Sequence, residues 1–287
     1  MGDSETRNKI VVTLPAYNEA GQIGEVLKRI KKVLPQAALL VIDDGSKDST
    51  AEKAKAAGAQ VISFAANRGI VEAFKTGLKN ALLLGADIIV TMDADGQHLP
   101  EEIPALLEPI EKKKADMVIG SRFLGKIRSK SRTKYLGNIA FSRLISRLVG
   151  NKITDAQSGF RAYTREVAER LNIHKGYTYT QQMIVQTAFH KMKIIEVPIT
   201  EEIRKEGTSR LIKNPFSFAY NAGSLLVSIF AIYYPLKFFG TSGILIMILG
   251  TWIGLSFPAN DNLSAMLVLI GVQMILFGIL FELINKK

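Results

Sequence analysis

The sequence contains no cysteine. Disulfides, thiolate zinc sites and cysteine nucleophiles are therefore excluded, and the redox compartment stays open. It has only 3 histidines, His98, His174 and His190, too scattered for an all-histidine metal site. Its single tryptophan, Trp252, lies inside an apolar run. No apolar run opens the chain: Met1–Arg7 is polar and charged, unlike a secretory leader, so the first large domain is expected to stay in the cytoplasm. Charge itself becomes scarce beyond Asn214, where Lys237 and Asp261 are the only charged residues before Glu282.

What is present is a basic chain of 287 residues with a formal net charge of +11. That length suffices for one large domain plus an accessory part. The charge implies a polyanionic partner: nucleic acid, anionic lipid or a phosphorylated substrate. No aromatic-interleaved RNA motif and no helix-turn-helix pattern accompanies it, which argues against nucleic acid.

Up to about residue 212 the chain alternates short apolar runs with amphipathic stretches. Lys9–Leu14, Ala38–Ile42, Gln60–Phe64, Asp87–Met92 and Ala115–Gly120 read as strands. Glu19–Val33, Asp48–Ala57, Val71–Leu84 and Pro100–Lys112 read as helices, the last with proline in its first turn. This order predicts an α/β layered fold with a mainly parallel sheet. Ligands bind beyond the carboxyl ends of such strands.

Pro235–Phe257 and Leu263–Leu280 are long enough and apolar enough to cross a hydrocarbon core as helices. The connector Pro258–Asn262 lacks Lys and Arg, whereas Arg210, Lys213, Lys237, Lys286 and Lys287 flank the other ends. The positive-inside rule then places both termini in the cytoplasm. Pro215–Tyr234 reads as an interfacial amphipathic helix. The expected organisation is a flexible lead over 1–8, a catalytic domain over 9–212, an interfacial helix over 213–234 and a two-helix transmembrane hairpin over 235–287.

Three polar clusters follow strands. Asp93-Ala94-Asp95-Gly96-Gln97-His98 comes directly after Ile88–Met92. Two carboxylates two residues apart, with the Gln97 oxygen, suit one hard divalent cation, Mg2+ or Mn2+, that would bridge nucleotide phosphates. Asp43-Asp44-Gly45-Ser46 offers a carboxylate to a ribose or base edge and also fits a helix-capping turn. Pro15-Ala16-Tyr17-Asn18-Glu19 adds a flat aromatic face and an acceptor.

In this order the clusters resemble the family 2 glycosyltransferases of the Rossmann-like GT-A fold, in the branch similar to dolichyl- and polyprenyl-phosphate sugar synthases. The resemblance continues through Asn67-Arg68-Gly69, Gly120-Ser121-Arg122, Asp155-Ala156-Gln157-Ser158-Gly159-Phe160-Arg161, Glu196-Val197-Pro198, and Arg204 with Gly207–Leu211. It implies transfer of one hexosyl or N-acetylhexosaminyl unit from a UDP- or GDP-sugar to a dolichyl or polyprenyl phosphate at a cell membrane. It implies that Pro15, Tyr17, Glu19, Asp44, Asp93 and Ala94 hold the nucleoside side of the donor. Asp93, Asp95 and Gln97 would hold the metal and diphosphate, with Arg204 and Ser209 closing over them. Arg122, Arg132 and Asn138 would bind the acceptor phosphate. Asp95, Arg122, Asp155 and Arg204 are the residues it assigns to catalysis.

Arginine suits two phosphorylated substrates because its planar fork matches phosphate oxygens. A phosphate acceptor is already ionised near neutral pH, so no general base or covalent nucleophile is required. The sequence departs from the family after Gly69, where a lysine and a second glycine are missing. It departs again at Gln181 and Gln182, which stand where acidic residues are usual and suggest a different sugar. A processive polysaccharide synthase is the alternative within the family, but the Gln-x-x-Arg-Trp motif is absent. The alternative outside enzymes is a membrane protein that only binds nucleotide sugar or anionic lipid; retention of Asp93, Asp95, Gln97 and Arg204 argues against it. Oligomeric state is left open, a homo-oligomer included.

Overall fold

A computed structural model describes residues 8–127, 132–174, 179–202, 230–257 and 261–285, with 223, 227 and 228, and their side chains except those of 127, 132–136 and 285. The chain forms two compact units, Met1–Leu211 and Ile212–Lys287.

The first unit is built on a 7-stranded sheet of order β3-β2-β1-β4-β6-β5-β7. Its strands are β1 (Ile10–Ala16), β2 (Ala38–Asp43), β3 (Gln60–Ser63), β4 (Ile88–Thr91), β5 (Met117–Ile127), β6 (Arg161–Thr164) and β7 (Ile194–Glu201). The five strands expected from the sequence are present, and β6 and β7 are added. Strand β6 runs antiparallel to both neighbours, β4 and β5, while the remaining pairings are parallel. The carboxyl ends of β1, β2, β4, β5 and β7 therefore share one edge. Because β6 is reversed, its beginning lies at that edge too, and residues 155–160 arrive there.

The helices bury one face each. In α1 (Ile23–Val33), Ile23, Val26, Leu27 and Ile30 are buried at the spacing of one helical face. Helix α4 (Ile103–Glu111) repeats this with Ile103, Leu106, Leu107 and Ile110. Both join Val12, Leu14, Val90 and Val118 of the sheet in one core. Truncating a fully buried member such as Leu27 to alanine costs about 2–5 kcal/mol. Helices α2 (Thr50–Ala56), α3 (Ile70–Leu83), α5 (Arg132–Val149), α6 (Arg165–Arg170) and α7 (Thr180–Phe189) complete the unit. Within the sheet, Thr13, Thr91 and Tyr163 form a buried hydroxyl row at 3.1 and 2.9 Å, so these polar groups are satisfied across three strands.

In the second unit, α8 (Pro235–Ser256) and α9 (Asp261–Asn285) are each long and apolar enough to span a membrane. At about 1.5 Å per residue, the 22 residues of α8 reach about 33 Å. Glycines let the two backbones approach. A Cβ at Gly243 would lie 2.5 Å from the Gly271 carbonyl oxygen, and one at Gly250 would lie 2.8 Å from Leu267. The Ser264 hydroxyl donates across the seam to the Gly250 carbonyl at 2.8 Å. Leu245, Ile248, Leu255, Leu269 and Leu276 point outward, an arrangement that lipid solvates and water does not. Of the interfacial stretch, 223, 227, 228 and 230–233 are helical; residues 213–222 lie outside the described residues.

Candidate active site

The ends of β1 and β2 are knitted together before any ligand is considered. Asn18 adopts a left-handed conformation (φ 54°), and its carboxamide oxygen accepts from the Lys47 amide at 2.8 Å. The Ser46 hydroxyl accepts from the Asn18 amide at 2.9 Å, and the Asp43 carboxylate accepts from the Ser46 amide at 3.1 Å. Pro15 is buried within β1 opposite Ile42, and Tyr17 and Glu19 are half-buried just beyond. Asp44, 4% exposed, accepts from the Arg68 and Gly69 amides at 2.6 and 2.9 Å. That carboxylate thus anchors the start of α3. Gly45 (φ 71°) has no room for a side chain: a Cβ would meet the Ala66 carbonyl carbon at 2.5 Å.

The β4 cluster is a tight turn. Asp95 accepts from the Gln97 amide at 3.0 Å, and Gly96 between them has φ 75°. The turn is bolted to β7: the Glu202 amide donates to the Gln97 carbonyl at 2.9 Å, and Gln97 Nε2 donates to the Glu202 carbonyl at 3.4 Å. His98 is buried against Phe160, ring centroids 5.1 Å apart, and its Nδ1 accepts from the Asp93 amide at 3.3 Å. Burial holds His98 down at about 4, so the ring is neutral and its 3.9 Å approach to the Asp93 carboxylate is not an ion pair. The Asp93 side chain is 43% exposed. Ala94 packs into the core, so only its backbone can meet a ligand.

A second charged centre lies at the ends of β5 and β7. Arg122 clasps Asp155 through Nε at 2.7 Å and Nη2 at 2.9 Å, and reaches Glu201 through Nη1 at 3.1 Å. Asp155 is fully buried and also accepts from Asn138 Nδ2 at 3.0 Å; its own amide donates to Glu196 at 2.9 Å. Burial opposes both charges, but the pairing outweighs it: Arg122 is held above its ordinary range and Asp155 below the carboxylate range. Asn138, expected at the acceptor phosphate, donates through its amide nitrogen to Asp155, and Asp155, expected in the chemistry, is paired with Arg122.

The pattern matches the model of glycosyl transferase family 2 over residues 11–171. The chain belongs to glycosyltransferase family 2. Among its curated relatives, an undecaprenyl-phosphate mannosyltransferase of Micrococcus luteus is 32% identical over 71% of this chain and 87% of that protein. A UDP-N-acetylglucosamine–dolichyl-phosphate N-acetylglucosaminyltransferase of Methanococcus voltae is 33% identical over 71% of this chain and 91% of that protein. Glucosyl-3-phosphoglycerate synthase of Mycobacterium tuberculosis, solved with Mn2+, UDP and its product, superposes with a TM-score of 0.62 at 22% identity, covering 78% of this chain and 80% of that one. The fold is GT-A, as the resemblance implied, and the chain is a transferase.

The donor set of this family 2 enzyme fits a hard cation. Asp93, Asp95 and Gln97 offer oxygen atoms, and with Gln97 Nε2 donating to the Glu202 carbonyl its Oε1 would be the atom presented to a cation. Among the described residues no group of three or more His, Cys, Asp or Glu side chains converges. Magnesium-type sites commonly use one or two carboxylates and draw further ligands from substrate phosphates, so two carboxylates suffice. Arg204 and Ser209 lie outside the described residues, as does the side chain of Arg132, at the start of α5.

The family 2 site has supports that the sequence did not disclose. Arg161, fully buried, donates to the carbonyls of Ser158, Thr180 and Ala156 at 2.8, 2.5 and 3.0 Å and shapes the 155–160 segment. Burial lowers it to about 10, still charged at neutral pH. Gln182 and Gln186, one turn apart on α7, clamp an extended segment. Gln186 accepts from the Asn172 amide at 2.7 Å and donates to its carbonyl at 2.9 Å. Gln182 does the same to His174 at 3.0 and 3.2 Å. Each clamp needs a donor and an acceptor on one side chain, which an amide supplies and a carboxylate does not. The clamp is thus a structural reason for glutamine at 182, independent of the sugar. Gln182→Glu is expected to cost about 1–3 kcal/mol in thermal unfolding while leaving the order of donor preference unchanged.

Proposed function

We propose that this enzyme transfers one hexosyl or N-acetylhexosaminyl unit from a nucleotide sugar to a dolichyl or polyprenyl phosphate at the cytoplasmic face of a membrane. The observation that carries the reading is the pair of centres at one sheet edge: the Asp93–Gln97 turn and the Arg122–Asp155–Glu201 cluster. The first suits a nucleoside diphosphate with its cation. The second offers the Arg122 guanidinium as a candidate partner for a second anion. The relatives named for polyprenyl-phosphate acceptors support this substrate class; they include both a mannosyltransferase and an N-acetylglucosaminyltransferase, so UDP- and GDP-sugars are both candidate donors, with the UDP-sugar slightly favoured by the resemblance of Asp155–Tyr163.

Residues 9–212 form the catalytic part, 213–234 lie along the interface, and 235–287 cross the membrane twice with both termini in the cytoplasm. Pro15, Tyr17, Glu19 and Asp44 hold the nucleoside, with the Ala94 backbone. Asp93, Asp95 and Gln97 hold the divalent cation, which when bound neutralises charge on the departing diphosphate. Arg204 and Ser209 hold the donor diphosphate. Arg122 and Arg132 orient the acceptor phosphate, and Asp155 and Asn138 orient Arg122.

The acceptor phosphate carries its own negative charge at neutral pH, with a second pKa near ~6. One of its oxygens forms a bond to the anomeric carbon as the bond from that carbon to the diphosphate oxygen breaks. The electron pair departs with the nucleoside diphosphate, and the configuration inverts. The protein aligns two anions and offsets their repulsion, and no side chain has to remove a proton.

The test is transfer from UDP-glucose, UDP-N-acetylglucosamine and GDP-mannose to a short polyprenyl phosphate, with purified protein and Mg2+ or Mn2+. One donor yielding a lipid-linked sugar is the expected result. No transfer from any donor, with nucleotide binding intact, overturns the reading.

A further inference from the structure

Tyr163 and Tyr179 are both buried tyrosines, yet among the described residues only Tyr163 has its hydroxyl satisfied. Tyr163 meets Thr91 at 2.9 Å. Tyr179, 4% exposed, has no hydrogen-bond partner for its hydroxyl among the described residues. Its ring is fixed by a close parallel stack on Phe74 of α3, centroids 4.0 Å apart and planes 12° from parallel. The hydroxyl is aimed at the site. A Cβ built on Gly159 would lie 3.2 Å from the Tyr179 oxygen and 3.3 Å from each Asp93 carboxylate oxygen. The hydroxyl and the carboxylate therefore lie next to each other against the bare Cα of Gly159, where even a methyl group would be tight.

A buried hydroxyl without a partner is costly, about 1–3 kcal/mol, and such groups in native proteins have a reason. A phenol is un-ionised at neutral pH and can donate its hydrogen. The sheet order indicates what it donates to. The nucleoside residues hang from β1 and β2. Tyr179, at the start of α7, and Gly159, just before β6, reach Asp93 from the opposite side. Asp93 is the open member of the pair, so a group reaching the Tyr179 hydroxyl belongs to a ligand already seated at Asp93.

We infer that Tyr179 is a specificity-determining residue: its hydroxyl, beside Asp93 and under Gly159, donates a hydrogen bond to an oxygen of the transferred sugar. This rests on the glycosyl-transfer reading of the site. It makes the floor of the sugar subsite a single donor flanked by a carboxylate. A sugar presenting an oxygen there is accepted, and one lacking it leaves the phenol unsatisfied again.

Tyr179→Phe removes one oxygen and keeps the stack on Phe74, so the fold has little reason to change. With full-length protein, the expected result is a fall of about tenfold or more in kcat/KM for the preferred nucleotide sugar. The Kd for UDP alone is expected to change less than about twofold, since the nucleotide leaves the contact unmade. A series of monodeoxy donors sharpens the test. One of them should lose rate on the wild-type enzyme and lose nothing further on Tyr179→Phe. Equal loss of UDP and nucleotide-sugar binding overturns the assignment to the sugar. Unchanged kcat/KM with an active wild-type enzyme overturns the inference altogether. A wild-type enzyme that transfers no sugar from any donor overturns the underlying reading instead, so the two failures are distinguishable.

Discussion

Asp95→Ala lowers sugar transfer about 10^3-fold, with the nucleoside still bound. That is the expected result of removing one of two carboxylates from a turn that offers few cation ligands. Asp95 is half-buried, and one of its oxygens already accepts the Gln97 amide at 3.0 Å. The alanine variant would therefore lose a proposed cation ligand and also free the backbone that aims Gln97. The turn itself should survive, because Gln97 and Glu202 hold each other through two further hydrogen bonds. Chelating divalent cations should slow the wild-type enzyme by a similar factor and add little to the variant, as two operations on one element do not add. The measurement is initial rate with and without chelator for both proteins, alongside calorimetric binding of UDP. A variant that retains a tenth of the wild-type rate would show that the turn holds no catalytic cation.

The second large effect is expected at Asp155. Four donors converge on its carboxylate: the Arg122 amide, Nε and Nη2, and Asn138 Nδ2. Asp155→Asn keeps the volume but turns one acceptor into a donor facing donors. It also leaves the Arg122 charge with Glu201 as its remaining carboxylate partner among the described residues. Breaking a buried ion pair from one side costs about 3–5 kcal/mol, a large part of the 5–15 kcal/mol typical of a whole domain. Thermal unfolding should drop accordingly, and kcat/KM should fall about 100-fold or more as Arg122 loses its orientation. Arg122→Lys separates charge from shape: it keeps the cation but not the planar fork, so stability should recover only in part relative to deleting the charge. If Asp155→Asn unfolds at the wild-type temperature, the clasp is not what holds this edge together.

The two centres were unequally legible in the sequence. The β4 turn was plain because all its parts are local: an apolar strand, two aspartates two apart, a glycine and a glutamine. The Arg122 centre was legible only as a list of motifs. Arg122, Asp155 and Glu201 are 33 and 79 residues apart along the chain, and nothing local says that they meet. Strand β6 was missed because Arg161-Ala162-Tyr163-Thr164 carries a charge at its head and no apolar run of the kind that marked the other short strands. Gln182 was read, with Gln181, for what it replaced; its partner, the backbone of His174, cannot be seen without the packed helix.

By itself the sequence determined the alternation of strands and helices, the polar turns beyond their carboxyl ends, and the apolar hairpin. These follow from composition and spacing within a few turns of chain, where each residue's neighbours are its own segment. Tertiary structure alone decided that β6 runs backwards and so delivers residues 155–160 to the site edge. It decided that Asp155 spends its charge on Arg122, and that the Tyr179 hydroxyl comes to rest beside Asp93 with no hydrogen-bond partner among the described residues. Such facts depend on which strands pair and which faces pack, and those choices are made by the whole core at once.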